Sequence, residues 1–125
     1  MTVFNDVKKF HKAFSLPMRR KPTLPKMEER ELRGNLLTEE FKEYIDAEYN
    51  NDIVEIADAL ADIIYIACGT AITYGIPLDK VWKEVQKTNM AKLVDGKPLY
   101  REDGKVKKPE GWIPPDIKSI LKIKS

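Results

Sequence analysis

The fifteen residues from Ile53 to Ala67, IVEIADALADIIYIA, constrain the fold more than any other stretch: they set three acids into a segment whose only other polar side-chain group is a tyrosine hydroxyl. At about 100° per residue, Glu55, Asp58 and Asp62 fall within roughly 60° of one another on a helix, while Ile53, Ile56, Leu60, Ile63, Ile64 and Ala67 fill the opposite side. A helix that is apolar almost all round is expected to be buried. A buried carboxylate is costly unless it is paired or binds a metal, so the fold must bring a partner to this acidic stripe.

The preceding segment, LLTEEFKEYI, supplies one. On a helix its Leu37, Phe41, Tyr44, Ile45 and Glu48 lie near one azimuth, with Glu39, Glu40 and Glu43 on the adjacent flank. Asn50-Asn51 is a tight turn and a candidate N-cap with Asp52 in the following first turn, and so short a connection makes the two helices antiparallel neighbours. Counting outward from it, Glu43 and Asp58 stand at equal distances. Four or five inward carboxylates call for hard divalent cations, Mg²⁺ or in its place Mn²⁺, which prefer oxygen ligands. His11, the one histidine, belongs to another segment; this argues against zinc and against a Glu-x-x-His di-iron bundle. His11 is read as a packed residue at the edge of an apolar face. The plainer alternative for the acids is a set of solvated faces and ion pairs.

The rest of the chain reads as all-α: a four-helix-bundle-like domain with an extended C-terminal tail. One domain is expected over residues 1–125, with a helical core over about 1–93 and a tail over about 94–125. The first helix spans about Val3 to Phe14 and is ended by Pro17, Pro22 and Pro25. The second starts near Lys26 and runs to about Tyr49, continuous through Gly34-Asn35. The third ends at Tyr74-Gly75, with Pro77 beyond. The fourth covers about Leu78 to Leu93. In the tail, the turn dipeptides Asp95-Gly96 and Asp103-Gly104 suggest a short β-hairpin in LYREDGKVKK. Net charge runs +6 over residues 1–27, −9 over 28–62 and +5 over 63–125, an acidic centre between basic elements that suits an anionic ligand arriving with its own cations. No secretory leader or membrane span is expected. The single cysteine, Cys68, points to a reducing cytoplasm.

These motifs carry a family resemblance. EEFKE, Glu39 to Glu43, followed by EIAD, Glu55 to Asp58, resembles the EExxE…ExxD signature of the all-α nucleoside triphosphate pyrophosphohydrolases, which include MazG-type enzymes, dimeric dUTPases and phosphoribosyl-ATP pyrophosphohydrolase. The run NMAKL…DGKPLYREDGKVKKPEGWIPPDI is similar to the tail of a MazG-like, phosphoribosyl-ATP-pyrophosphohydrolase-like subgroup. The resemblance implies that Glu40, Glu43, Glu55 and Asp58 coordinate Mg²⁺. Glu39 would bind a further metal or orient the attacking water, with Glu39 and Glu40 as the catalytic acids. Asp62 lies outside the signature and is expected to support the ligands or to make a structural hydrogen bond.

A polyphosphate also needs cationic or amide donors. Asn89 and Lys92 continue the helical stripe of Val81, Trp82 and Val85 and are candidates for this role; a capping amide and a C-terminal cation are the competing reading. Arg101 and Lys108 are further phosphate candidates, and Tyr100 or Trp112 would stack on a base or close a lid, unless Trp112 anchors the tail by packing. There is no P-loop and no serine, cysteine or histidine nucleophile arrangement. The expectation is a Mg²⁺-dependent enzyme cleaving an NTP or dNTP to a nucleoside monophosphate and pyrophosphate, as a homodimer or homotetramer, with neither nucleic acid nor membrane as partner. One alternative is phosphoribosyl-ATP as substrate. Another, of a different class, is a non-catalytic helical module that binds nucleic acid or protein.

Overall fold

The computed structural model describes residues 2–123, which form five helices and no strand: α1 (Thr2–Ala13), α2 (Met27–Tyr49), α3 (Ile53–Tyr74), α4 (Leu78–Met90) and α5 (Ile117–Ile120). The chain divides into two compact units after Leu78.

In the first unit, α2 and α3 form the antiparallel hairpin expected from the Asn50-Asn51 turn. Asn51 takes the left-handed backbone conformation that the turn requires (φ 52°). The cap of α3 is one residue later than the sequence suggests. Asp52 is the N-cap, its carboxylate accepting from the Glu55 amide at 3.2 Å, which satisfies one of the orphan donors of the first turn. Gly34-Asn35 leaves α2 unbroken. At the other end of α3, Gly75 is left-handed (φ 74°), and a Cβ there would collide with the Lys21 carbonyl.

That collision marks how closely the proline-rich connector is laid against α3. The last carbonyls of a helix lack intrahelical donors, and here the connector provides them. Ile72 O accepts from Arg19 N (3.1 Å), Tyr74 O from Thr23 N (2.8 Å), and Thr73 O from the Arg19 guanidinium (2.7 Å), which also pairs with Glu29. Helix α1 closes the core: its Phe4 and Val7 pack with Cys68, Ala71 and Ile72. His11 is buried and its Nδ1 lies 3.0 Å from the Pro17 carbonyl.

The expectation of a wholly buried α3 holds for only part of it. Cys68, Gly69, Ala71, Ile72 and Thr73 are buried, but between Ile53 and Ala67 only Ala59 is; Ile53 is 74% exposed, Val54 70% and Ile64 49%. Within this unit, α1 and the connector meet the C-terminal half of α3, and α2 covers one side of the rest.

In the second unit, α4 ends at Met90, about a turn short of the expected Leu93. The tail is held to it by the Trp112 indole, whose Nε1 donates to the Thr88 carbonyl at 2.7 Å. The Asp116 amide adds a bond to Glu84 Oε2 at 2.8 Å. Asp116 in turn caps the short α5. Where a hairpin was expected there are two isolated antiparallel bridges, Val94 with Lys97 and Tyr100 with Val106.

Candidate metal centre

Glu40 and Glu43 lie one turn apart on α2, and an oxygen of each comes within 4.8 Å of an oxygen of Asp62 on α3. The register follows from the bend. Glu40 precedes Asn51 by eleven residues and Asp62 follows it by eleven, so an antiparallel hairpin sets them level.

The electrostatics are those of a site short of positive charge. Burial, then the charges of Glu43 and Asp62, push the Glu40 carboxyl above the usual carboxylate range, with the charge of Asp58 adding to the effect. Burial, Asp58 and Glu43 do the same to Asp62. Glu40 Oε2 is closed off from solvent and has no hydrogen-bond partner among the described residues. No Lys or Arg forms an ion pair with any of the three there. An orphaned carboxylate oxygen beside two more carboxylates, with no nitrogen or sulfur donor in the group, fits a hard divalent cation such as Mg²⁺ or Mn²⁺.

Of the other acids, Asp58 is exposed and stands outside this group, although its charge reaches both Glu40 and Asp62. Glu55 is also outside it: seven residues before Asp62, it lies about 10 Å nearer the bend along the helix axis. Glu39 is exposed beside Glu40. The structure therefore assembles Glu40 and Glu43 with Asp62, the acid outside the sequence signature, and leaves Glu39, Glu55 and Asp58 around or beyond them.

Two turns away from the carboxylates is a feature that the sequence reading missed. Arg33, seven residues before Glu40, is half-buried and donates from Nε to Thr70 Oγ1 and from Nη2 to the Ile66 carbonyl, both at 3.0 Å. Its guanidinium and the His11 ring lie over Gly69, where a Cβ would stand 2.6 Å from Arg33 Nη2 and 2.9 Å from His11 Nε2. Burial lowers the His11 pKa against the bond to Pro17, and the Arg33 charge lowers it further. The one advance signal was positional: Arg33 is seven residues from Glu40, and Gly69 seven from Asp62.

Four of the phosphate and stacking candidates of the second unit, Asn89, Lys92, Lys108 and Trp112, meet one another. Lys92 Nζ donates to Asn89 Oδ1 at 3.0 Å. The Lys92 and Lys108 amines lie 5.2 and 5.0 Å from the centre of the Trp112 ring, so Trp112 serves there as an anchor with cations against it. Arg101 pairs with Asp103 at 2.8 Å, and Tyr100 is exposed.

The model of the phosphoribosyl-ATP pyrophosphohydrolase family matches residues 7–89, which include the whole of α2 and α3 and all three grouped carboxylates. The chain belongs to the phosphoribosyl-ATP pyrophosphohydrolase family. This is an all-α family of MazG-like nucleotide pyrophosphohydrolases, in keeping with the helical fold found here. A stretch of 48 residues is also 44% identical to a protein of Acanthamoeba polyphaga mimivirus, "Uncharacterized protein L479". The match covers 38% of this chain and 19% of that protein, so the chain spans well under two thirds of that relative's length.

Proposed function

We propose that this chain hydrolyses a nucleoside triphosphate between the α and β phosphates, yielding a nucleoside monophosphate and pyrophosphate, with Mg²⁺ held by Glu40, Glu43 and Asp62. The observation that carries this reading is the buried Glu40 oxygen, unpartnered beside two further carboxylates. A bound divalent cation supplies Lewis-acid stabilisation of phosphate charge and lowers the pKa of water. The protein's own part is to fix the ligand oxygens on two packed helices, so that little is lost in ordering them. Asp58, which already influences Glu40 and Asp62 through its charge, raises the affinity of the group for cations. Glu39, exposed next to Glu40, is assigned in this reading to orienting the attacking water or binding a further metal. Phosphoribosyl-ATP is the second reading, favoured by the family match, and it requires the same cleavage.

The bare apolar side of α3 belongs to the same proposal. Ile53, Val54, Leu60 and Ile64 are all exposed, and a second copy of the chain is the occupant proposed for them. α3 is long and apolar enough by composition to cross a membrane. Insertion, however, would carry Asp58 and Asp62 into lipid at a cost of about 2.5–3.5 kcal/mol for an acid at the bilayer centre. Sedimentation at micromolar concentration is expected to show a dimer or tetramer, and a monomer would refute the assignment of this face.

The deciding experiment measures pyrophosphate release from NTPs, dNTPs and phosphoribosyl-ATP, with Mg²⁺ or with EDTA. Wild-type protein is expected to act on at least one of them in Mg²⁺ alone. Glu40→Gln and Asp62→Asn are expected to lose at least about a hundredfold, the upper range for a disturbed metal site, while their circular dichroism stays helical. Release that survives EDTA, or no release from any substrate, would overturn the proposal.

A further inference from the structure

We propose that Arg33 is an anchor for the terminal, non-reacting phosphate of the substrate and so makes the site prefer a triphosphate to a diphosphate. The inference rests on the pyrophosphohydrolase reading above and adds to it a residue and a selectivity.

The charge of Arg33 is uncompensated among the described residues. A guanidinium keeps its proton in proteins, and taking it out of water is costly unless an opposite charge receives it. Arg19 meets this requirement with Glu29. Arg33 does not. Its two bonds go to a hydroxyl and a carbonyl, which orient it without neutralising it, and among the described residues no carboxylate pairs with it. Nor does His11 offer a counter-charge. With Nδ1 bonded to the Pro17 carbonyl, that nitrogen carries the proton, and the nitrogen towards Arg33 and Gly69 is the uncharged Nε2.

The guanidinium is also ready for a ligand. Thr70 and Ile66 hold Nε and Nη2, while Nη1 makes no hydrogen bond among the described residues. A planar fork fixed in this way loses little freedom on meeting a phosphate. Gly69 lets the guanidinium pack directly on α3, where even a methyl group would meet Nη2 at 2.6 Å.

Position connects this charge to the carboxylates. Seven residues are two helical turns, about 10 Å of rise and only some 20° short of the same azimuth. Arg33 therefore lies along α2 on the stripe of Glu40, and Gly69 along α3 on that of Asp62. One face of the hairpin thus has an anionic group that needs cations at one level and a cation that lacks an anion two turns on. A single phosphate does not span these levels. A polyphosphate whose reacting end is bound through metal at the carboxylates can turn its far phosphate towards Arg33.

The test compares kcat/KM for a nucleoside triphosphate and the diphosphate of the same nucleoside, using wild type, Arg33→Gln and Arg33→Lys. The ratio of the two is expected to fall about tenfold or more in Arg33→Gln, the scale of one charge-assisted hydrogen bond. The loss should appear mainly in the KM of the triphosphate, with partial recovery in Arg33→Lys. Arg33 as a mere clip between α2 and α3 would give a lower melting temperature and an equal loss for both substrates, which overturns the proposal. Should Arg33→Gln fail to fold, Arg33→Lys carries the same comparison. Absence of hydrolysis in wild type would be a failure of the enzyme reading. Calorimetric titration of the protein in Mg²⁺ with inorganic tripolyphosphate then tests Arg33 separately: binding weakened about tenfold in the variant supports the anchor, and equal or no binding in both proteins refutes it.

Discussion

Along α3, Cys68, Gly69, Ala71, Ile72 and Thr73 are shut away from solvent, whereas Ala59 is the sole residue so placed between Ile53 and Ala67. Both halves are strongly apolar in sequence, so hydrophobicity alone does not separate them. What does is company: α1 and the connector close over the second half, while α2 leaves one side of the first half bare. The comparison teaches that the apolar surface of one helix need not all be spent within its own fold, and that the acids are carried by the half that is less enclosed.

The comparison breaks most clearly under truncation. Ile72→Ala removes a fully buried side chain and should cost about 2–5 kcal/mol in a urea melt. Ile64→Ala, on the bare side, should stay within about 0.5 kcal/mol for the isolated subunit and instead weaken association, seen as a melting temperature more dependent on protein concentration. Equal losses at the two positions would erase the distinction. Gly69→Ala forces a methyl group against Arg33 and His11 and should destabilise by about 1–3 kcal/mol. Gly34→Ala has the opposite sign: nothing lies within 4 Å of the new Cβ, and a mid-helix glycine replaced by alanine should gain about 0.5–1 kcal/mol.

The smallest effect is a slope against pH. Folding raises the pKa of Glu40 and Asp62, so the stability linked to their protons is present below the ordinary carboxylate range, about 4, and is lost as pH rises through the higher folded values. Folding lowers the pKa of His11. Its contribution is present above about 6.5 and is lost as pH falls through the lower folded value. In EDTA, the stability of wild type minus that of Glu40→Gln should therefore decline with rising pH. The difference between wild type and His11→Asn should decline with falling pH. Parallel curves for wild type and variants would show that these groups do not sense the fold.

Much of this architecture was legible because it is punctuated locally. Pro17, Pro22 and Pro25 cannot continue α1, Asn50-Asn51 reverses the chain, and Gly75 with Pro77 stops α3; each acts through its own backbone. Glu40 and Glu43 were equally readable, being one turn apart at a known distance from the bend. The place of Asp62 was harder to see. Asp58 and Asp62 share one arc of the helix a turn apart, and pairing Glu43 with Asp58 about the bend is as good by spacing as pairing Glu40 with Asp62; the side-chain positions that group Asp62 with Glu40 and Glu43 are not written in that spacing. Arg33 was overlooked for a similar reason. In sequence it is one more charge near Arg30 and Glu31, and it becomes unusual only once Gly69 and His11 close around it. The bare half of α3 shows the same limit, since hydropathy records that a surface avoids water but not whether its cover comes from the same chain.

The connector has a consequence for proteolysis. Met18-Arg19-Arg20-Lys21 is attractive to trypsin by composition, yet the Arg19 amide is bonded to Ile72, its guanidinium to Thr73 and Glu29, and the Thr23 amide to Tyr74. A protease must draw the segment out before it can cut, and doing so uncaps the last turn of α3. The rate of nicking after Arg19 or Arg20 thus becomes a clock for local opening at that end of the molecule, readable on a gel without unfolding the rest.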